Sequence, residues 1–317
     1  MIRWDKRIKL LFLLPAVIWV LTLTIAPLFF SLYLSFTDVK REVVISGVTE
    51  VPILDKEGKP KTRSDGSVRT KKIKDKKLVI KYDWVGLKKY KRVVNDQEYQ
   101  DAAKFTFIYV IVSVVIEIIL GLFLAFLFNR RIYGRGFMRS LMILPIFATP
   151  FAIGFMFFTI LFEVSGPLAW MGIPFLSNHN WAPFSVMLVD IWQWTPFCFL
   201  VFLAALQGIP DDLIEAATLD TKSAYKVWTS VILPLLQPII VLVILLRVAE
   251  AAKLYDYIAS LTKGGPGTAT QSVSFLVFNK AFKMNDFGYA SAGSFLMLIV
   301  VMIFVLLFFT QLRKTYE

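Results

Sequence analysis

Two clusters of charge stand out in a chain of 317 residues that is 57% hydrophobic. Asp211, Asp212, Glu215 and Asp220 fall in one short break between apolar stretches. Arg247, Glu250, Lys253 and Asp256 recur at intervals of three at the end of another apolar run. Residues three apart on a helix are neighbours, so this second set, alternating in sign, is expected to pair along its own helix. Neither cluster has the make-up of a catalytic centre. The chain has one His, His179, and one Cys, Cys198, which rules out an internal disulfide framework and leaves too few ligands for a Cys/His metal site. Nucleophilic catalysis through a His would rest on His179 alone, in the polar patch "SNHN", where a surface loop His is the ordinary reading. No catalytic residue and no metal site are expected.

The elements that must hold these charges are membrane spans. Mean hydropathy is +0.64, and a helix needs about 20 apolar residues to cross a bilayer. Six stretches qualify: Leu10–Phe36, Phe105–Phe128, Phe137–Phe162, Phe184–Leu206, Ile232–Ile258 and Tyr289–Thr310. A barrel would show alternating segments of about ten residues instead. The expected fold is an all-α membrane protein with six transmembrane helices. In the fifth span the uncharged run Leu235–Leu246 is too short to cross alone, so the helix is expected to continue through Arg247, Glu250, Lys253 and Asp256. Charges at such depth are costly and usually mark a pathway, at about 2.5–3.5 kcal/mol each on insertion scales. Two roles stay open for Arg247 and Glu250: hydrogen bonding to a polar solute in transit, or pairing with each other to steady the bundle. Asp190 in the fourth span and Glu117 in the second are further inward candidates, each able to pair with a neighbouring subunit instead. The fourth span also carries "DIWQWTPF", where Trp192 and Trp194 point about 200° apart on a helix, so both cannot serve one site. Trp194, with Gln193 as a polar neighbour, is the candidate for stacking on a sugar ring; interfacial anchoring is the competing role for either Trp.

Lys and Arg in short loops stay cytoplasmic. Arg3, Lys6, Arg7 and Lys9 precede the first span, Arg130, Arg131, Arg135 and Arg139 lie between the second and third, and Arg313 and Lys314 follow the sixth. Glu163–Pro183 holds no Lys or Arg. Both termini are therefore expected inside. The long segment 37–104 carries 18 Lys/Arg against 11 acids, yet parity puts it outside, and long loops cross regardless of charge. Alternation in "REVVISGVTEVPIL" and "LVIKYDWVGL" around a "SDGS" turn predicts a small β-hairpin, followed by short helices near "GLKKYKRVVNDQEYQDAAK". Its Lys run is either a docking surface for an acidic partner or a solvated face. Nucleic acid is not an expected partner, because the charge is spread over loops. The chain thus divides into residues 1–36, the extracytoplasmic insertion 37–104, and a core from 105 to 317 with a cytoplasmic loop at 207–231.

That loop, "IPDDLIEAATLDTKSAYKVWTSVILPLL", reads as two short helices with a bend at Asp220–Thr221. Pro210, Asp211 and Asp212 suit a helix start, where acids meet the positive end of the dipole. "EAATLD" followed by "ILPLLQP" resembles the EAA loop of binding-protein-dependent ABC importer permeases, in which E-A-A precedes D-G-A and a later L-P. "LLPAVIWVLTLTIAPLFFSLYLSFTD", "WVGLKKYKRVV" and "LTKGGPGTAT…NDFGYASA" are similar to the first permease subunit of sugar importers of the maltose and glycerol-phosphate type. The resemblance covers nearly the whole chain, least at Glu42–Lys81. It implies that Glu215, Ala216, Ala217 and Asp220, with Pro234 closing the motif, dock a cytoplasmic ATPase. The family's usual Gly after the Asp is Thr221 here, so a sharp left-handed turn is less free.

The resemblance further implies a second permease subunit, two ATPase subunits and an extracytoplasmic solute-binding protein, in a bacterial or archaeal cytoplasmic membrane. It makes Gly264, Gly265 and Pro266 part of an outer gate or binding-protein dock. No cofactor is expected in this chain: "EGKP" at Glu57–Pro60 lacks the leading Gly and the Ser/Thr of a Walker motif, so ATP and Mg belong to the partner ATPase. The chain is expected not to be an enzyme but to translocate a sugar, oligosaccharide or polyol by alternating access. An importer of an anionic solute (a uronic-acid oligosaccharide or glycerol phosphodiester) is the alternative, and an ion-coupled secondary transporter a weaker one, because paired broken helices in two repeats are not visible.

Overall fold

The computed structural model describes residues 6–52, 70–130, 133–221 and 223–316. The predicted "SDGS" turn lies outside them. Two compact units are built from the chain: residues 1–89 with 286–292, and residues 90–285 with 293–317.

The first unit starts with α1 (Lys6–Val20) and α2 (Ala26–Ser35), joined by one wide turn at Leu21–Ile25. Pro27 explains that turn: it has no N–H to give and its ring crowds the carbonyl four residues back, so the ladder widens rather than breaks. Residues 13–34 are largely exposed, Trp19 and Phe29 among the most open, as expected of a helix whose solvent is lipid. Strands β1 (Thr37–Pro52) and β2 (Thr70–Trp84) follow as one antiparallel pair, in register from Thr37↔Trp84 to Pro52↔Thr70 with an irregularity between Ile45 and Gly47. Of the expected small β-hairpin the described residues show this one long strand pair. Its root is pinned by Phe36 stacked on Trp84 at 5.4 Å between ring centroids. Beside it Lys89 Nζ reaches Asp38 at 2.7 Å and Asp286 at 3.0 Å. Gly288 is required at this root, because any Cβ there would run into the Thr37 carbonyl oxygen.

The second unit is helical: α3 (Lys88–Asn95), α4 (Gln97–Asn129), α5 (Arg135–Phe147), α6 (Pro150–Leu161), α7 (Trp181–Gln207), α8 (Asp211–Asp220), α9 (Ala224–Val227), α10 (Leu233–Ala251), α11 (Val273–Phe278) and α12 (Phe287–Tyr316), the boundaries of the first and last overlapping the other unit. Asp96 caps α4, its carboxylate accepting from the Glu98 N–H at 3.0 Å, so the helix starts eight residues before the apolar run and passes through 104–105. Five helical stretches among the described residues are long and apolar enough to span a bilayer, or six if α5 and α6 count as one. That pair corrects the expected third span. It bends by 101°, because Ala148 and Thr149 leave the helix in extended backbone, Thr149 Oγ1 caps α6 and Pro150 starts it. Pro is favoured at that first position, where its missing N–H costs nothing.

The core lies where α4 meets α7, with α10 packed against both; Tyr109, Val114, Val186, Phe199, Phe202 and Val243 are fully or almost fully buried there. In lipid, helices associate through close packing rather than through hydrophobic drive, and Gly121 provides it. A Cβ added at Gly121 would stand 2.6 Å from Cys198 Cβ and 3.0 Å from the Phe199 nitrogen. Gly121→Val should therefore force α4 and α7 apart at about 1–3 kcal/mol, the usual cost of overpacking, seen as a lower melting temperature of the purified protein.

Between α6 and α7 the loop is organised by Glu163, whose carboxylate accepts the Leu176 and Ser177 amides at 2.6 and 2.7 Å. Partial burial pushes this carboxyl up, but the hydrogen bonds from Ser177 and Leu176 outweigh it and hold it below its ordinary value. A depressed carboxyl stabilises the fold above the unfolded pKa of about 4.3, and that contribution is lost as pH falls through the folded value. Hydrogen-exchange protection of the Leu176 and Ser177 amides should fall over that acid window, and Glu163→Gln should lower it at neutral pH. The effect on global stability stays small, because the carboxyl is only partly buried and water screens it.

Candidate functional site

Three helices bring polar side chains to one point in the second unit. On α4, Tyr109, Ser113 and Glu117 follow one another at spacings of four and all are buried, which puts them on one face. On α7, Asp190 and Trp194 are four apart, with Gln193 beside them; on α10, Val243, Arg247 and Ala251 make the inward face. The stripes meet at Arg247. Its Nε donates to Glu117 Oε2 at 2.6 Å and its Nη2 to Glu117 Oε1 at 2.9 Å. Nη2 also donates to Asp190, at 3.2 Å to Oδ2 and 3.3 Å to Oδ1. The guanidinium lies 4.5 Å over the Trp194 ring. Arg, Glu and Asp are at most 2% exposed. A guanidinium fits a carboxylate fork-to-fork, and such a pair is tolerated in a dry interior only when its hydrogen bonds are made.

This corrects the expected ladder on the fifth span. Arg247 does not pair with Glu250; its partners come from α4 and α7. The expected pair of Glu250 with Lys253 does form, at 2.7 Å, with both side chains exposed. The helix ends at Ala251, and the chain turns at Ala252 and Lys253 before a short helical segment that leads through a wide turn at Ile258–Thr262, so the span does not continue through Lys253 and Asp256. The physical reason is position along α10: Arg247 is buried among the helices, whereas Glu250 sits at the exposed end of the helix within reach of Lys253.

A second chain of hydrogen bonds fixes Trp194. Its Nε1 donates to the Tyr257 hydroxyl at 3.2 Å, Tyr257 donates to Gln193 Oε1 at 2.6 Å, and Gln193 Nε2 donates to the Ala148 carbonyl at 2.9 Å, at the bend between α5 and α6. Gln193 therefore neighbours Trp194 through Tyr257 rather than directly. Trp192 points the other way, edge-on to Phe157 and exposed.

Arg247, Asp190 and Trp194 line the buried part of a cleft of about 160 Å³ with Tyr109, Pro150 and Tyr257, and the exposed Glu250, Lys253 and Asp256 lie at its rim. Sequence reasoning singled out Arg247, Glu250, Asp190, Trp194 and Gln193; the first four line this cleft and Gln193 stands behind Tyr257. It missed Tyr109 and Tyr257. The spacing of Tyr109, Ser113 and Glu117 was the available signal for the first; nothing local marked the second. Among the described residues no group of three His, Cys, Asp or Glu could hold a metal ion.

The other candidates lie elsewhere. Gly264, Gly265 and Pro266 do not line the cleft. They sit in an ordered turn with a cis peptide at Gly265–Pro266, held by the Thr270 hydroxyl donating to the Gly265 carbonyl at 2.7 Å. Gly264 has φ +89° and Phe275 packs where its Cβ would be, so Gly is needed there on both counts. Glu215, Ala216, Ala217 and Asp220 are on α8, which has no buried residue. Leu219 is 89% exposed and Tyr225, just beyond, 76%. Thr221 leaves α8 in extended backbone at φ −147°, so the missing Gly costs nothing: no left-handed turn is made. Ser223 then caps α9, and Pro234 stands exposed in the first turn of α10.

Residues 117–315 match the family model of binding-protein-dependent transport system inner membrane components. The chain is 36% identical over 243 residues to the trehalose/maltose transport system permease protein MalF of Thermococcus litoralis, an alignment that covers 74% of this chain and 82% of that one. It is 32% identical over 231 residues to the multiple sugar-binding transport system permease protein MsmF of Streptococcus mutans serotype c, covering 71% and 79%. Its fold is that of a chain in the crystal structure of a bacterial ABC transporter involved in the import of the acidic polysaccharide alginate, with a TM-score of 0.74 at 20% identity and 98% of each chain covered. Apolar spanning helices, a charged cleft at their junction and these matches agree: the chain belongs to the family of binding-protein-dependent transport system inner membrane components, multi-pass proteins of the cytoplasmic membrane.

Proposed function

We propose that this chain is one of two permease subunits of an ATP-driven importer that moves a sugar, oligosaccharide or polyol into the cytoplasm by alternating access. The observation that carries the reading is the cleft: a polar, aromatic-walled recess at the junction of α4, α7 and α10. Relatives named for trehalose, maltose and multiple sugars support the solute class. Trp194 offers an apolar ring face to a sugar, and Tyr109, Glu250 and Asp256 offer hydrogen-bonding atoms.

In this reading both termini and α8 lie in the cytoplasm and the β1–β2 hairpin outside. Glu215, Ala216, Ala217 and Asp220 enter a cleft of one ATPase subunit, and the Gly264–Pro266 turn belongs to the outer mouth. A second permease subunit completes the pathway, two ATPase subunits drive it, and an extracytoplasmic binding protein delivers the solute. ATP and Mg are bound by the ATPase. The chain itself catalyses no reaction. Ion-coupled transport has no feature of its own in its favour.

The test is ATPase activity of the assembly purified through a tag on this chain, in lipid nanodiscs with its binding protein and a screen of neutral oligosaccharides, uronic-acid oligomers and glycerol phosphodiesters. Stimulation by a neutral sugar is the expected result. Failure of an ATPase to co-purify in mild detergent would remove the importer reading.

A further inference from the structure

The charges around the cleft do more than mark a pathway. Its walls carry three carboxylates, Asp190, Glu250 and Asp256, and two cations, Arg247 and Lys253, with Glu117 directly behind Arg247. Both cations are already engaged: Arg247 by Glu117 and Asp190, Lys253 by Glu250 at 2.7 Å. Asp256 makes no ion pair among the described residues and stands exposed at the rim. A proton shared between Glu117 and Asp190 would still leave an excess of negative charge. The α6 N-terminus, which reaches the cleft at Pro150, offers little to an anion: Pro150 has no N–H, and Thr149 Oγ1 already accepts the Ala152 amide at 3.4 Å. Carboxylates and phosphates are bound by free bidentate Arg or by open helix N-termini, and the cleft presents neither. The groups it does present suit hydroxyls: the Tyr109 hydroxyl, the rim carboxylates, and the Trp194 ring.

We infer that this cleft filters solutes by charge, admitting neutral and amino-bearing sugars and turning away uronates and sugar phosphates. The inference rests on the sugar-importer reading and goes beyond it by assigning a selectivity to this chain that is independent of the binding protein. An anion entering the cleft meets an excess of carboxylates over cations in a medium of lower dielectric than water, where screening by salt is weak. An ammonium group would instead find Asp256 and Glu250.

The test uses the permease–ATPase assembly in nanodiscs without the binding protein, so that any preference belongs to the membrane part. Saturation-transfer NMR titrations compare neutral disaccharides (maltose, trehalose and cellobiose), each with the analogue in which one primary alcohol is oxidised to a carboxylate. For each sugar that binds, the carboxylate analogue should bind at least about tenfold more weakly, a difference of about 1.4 kcal/mol. In the double variant Glu250→Gln/Asp256→Asn the ratio should narrow several-fold. A carboxylate analogue that binds as well as its neutral parent, or a ratio unchanged in the double variant, overturns the inference while leaving the importer reading intact. Binding by none of the pairs also overturns it; sugar stimulation of ATPase with the binding protein present then tells whether the sugar reading survives.

Discussion

Arg247→Met should be among the most damaging single substitutions in the chain. It would leave Glu117 and Asp190, both essentially without solvent, facing each other with no cation between them. Breaking a buried pair in this way costs about 3–5 kcal/mol, a large part of the 5–15 kcal/mol that stabilises a typical domain. The expected result is a sharply lowered melting temperature in detergent or nanodiscs, with little folded protein recovered. Arg247→Lys should be intermediate. An ammonium cannot span the two Glu117 oxygens and Asp190 at once, and it loses the planar contact with Trp194. Adding Glu117→Gln to Arg247→Met should restore part of the loss by removing one orphaned charge. Glu250→Gln should change stability by no more than about 1 kcal/mol, because its pair with Lys253 is exposed. Equal losses in Arg247→Met and Glu250→Gln would mean that Arg247 is not the electrostatic centre of the bundle.

Substitution of Glu215 should do the reverse, sparing the fold and ending transport. No residue of α8 is buried, and surface changes away from caps and pairs usually stay within ±0.5 kcal/mol. A carboxylate that anchors a protein interface is worth about 2 kcal/mol or more when truncated, so Glu215→Ala should cut solute uptake about 30-fold or more while the chain melts at its normal temperature. Leu219→Ser, at a side chain with almost no contact inside the chain, should act in the same direction. Solute-stimulated ATPase should fall in parallel with uptake, because both depend on the same contact. Full uptake by Glu215→Ala would sever α8 from energy coupling.

Much of this was legible in one dimension, and the failures have physical causes. Continuous apolar runs revealed the spans because lipid demands them; alternation pointed to 41–54 and 78–87, whereas the structure pairs Thr37–Pro52 with Thr70–Trp84. The third stretch was read as one crossing because Ala148 and Thr149 interrupt no apolar pattern, although Thr-Pro at 149–150 is a helix start. The charges of α10 were read as a ladder because spacing along a helix exposes only same-helix neighbours. Arg247's real partners are 130 and 57 residues away, and Glu117 and Asp190, each singled out as a lone inward acid, belong to its site. Tyr257 could not be found, since its role comes from lying beyond the α10 break, between Trp194 and Gln193. The EAA-like loop was legible because its side chains serve no internal packing, and the concern over Thr221 was resolved by backbone that needs no glycine.

Energy coupling through α8 is tested by uptake into proteoliposomes. The assembly containing this chain would be reconstituted with the binding protein outside, and entry of a radiolabelled neutral sugar followed with ATP or a non-hydrolysable analogue enclosed. Accumulation that requires hydrolysable ATP, persists when proton and sodium gradients are collapsed, and disappears in Glu215→Ala is the predicted result. Accumulation without ATP, driven by an imposed ion gradient and unchanged by Glu215→Ala, would contradict it.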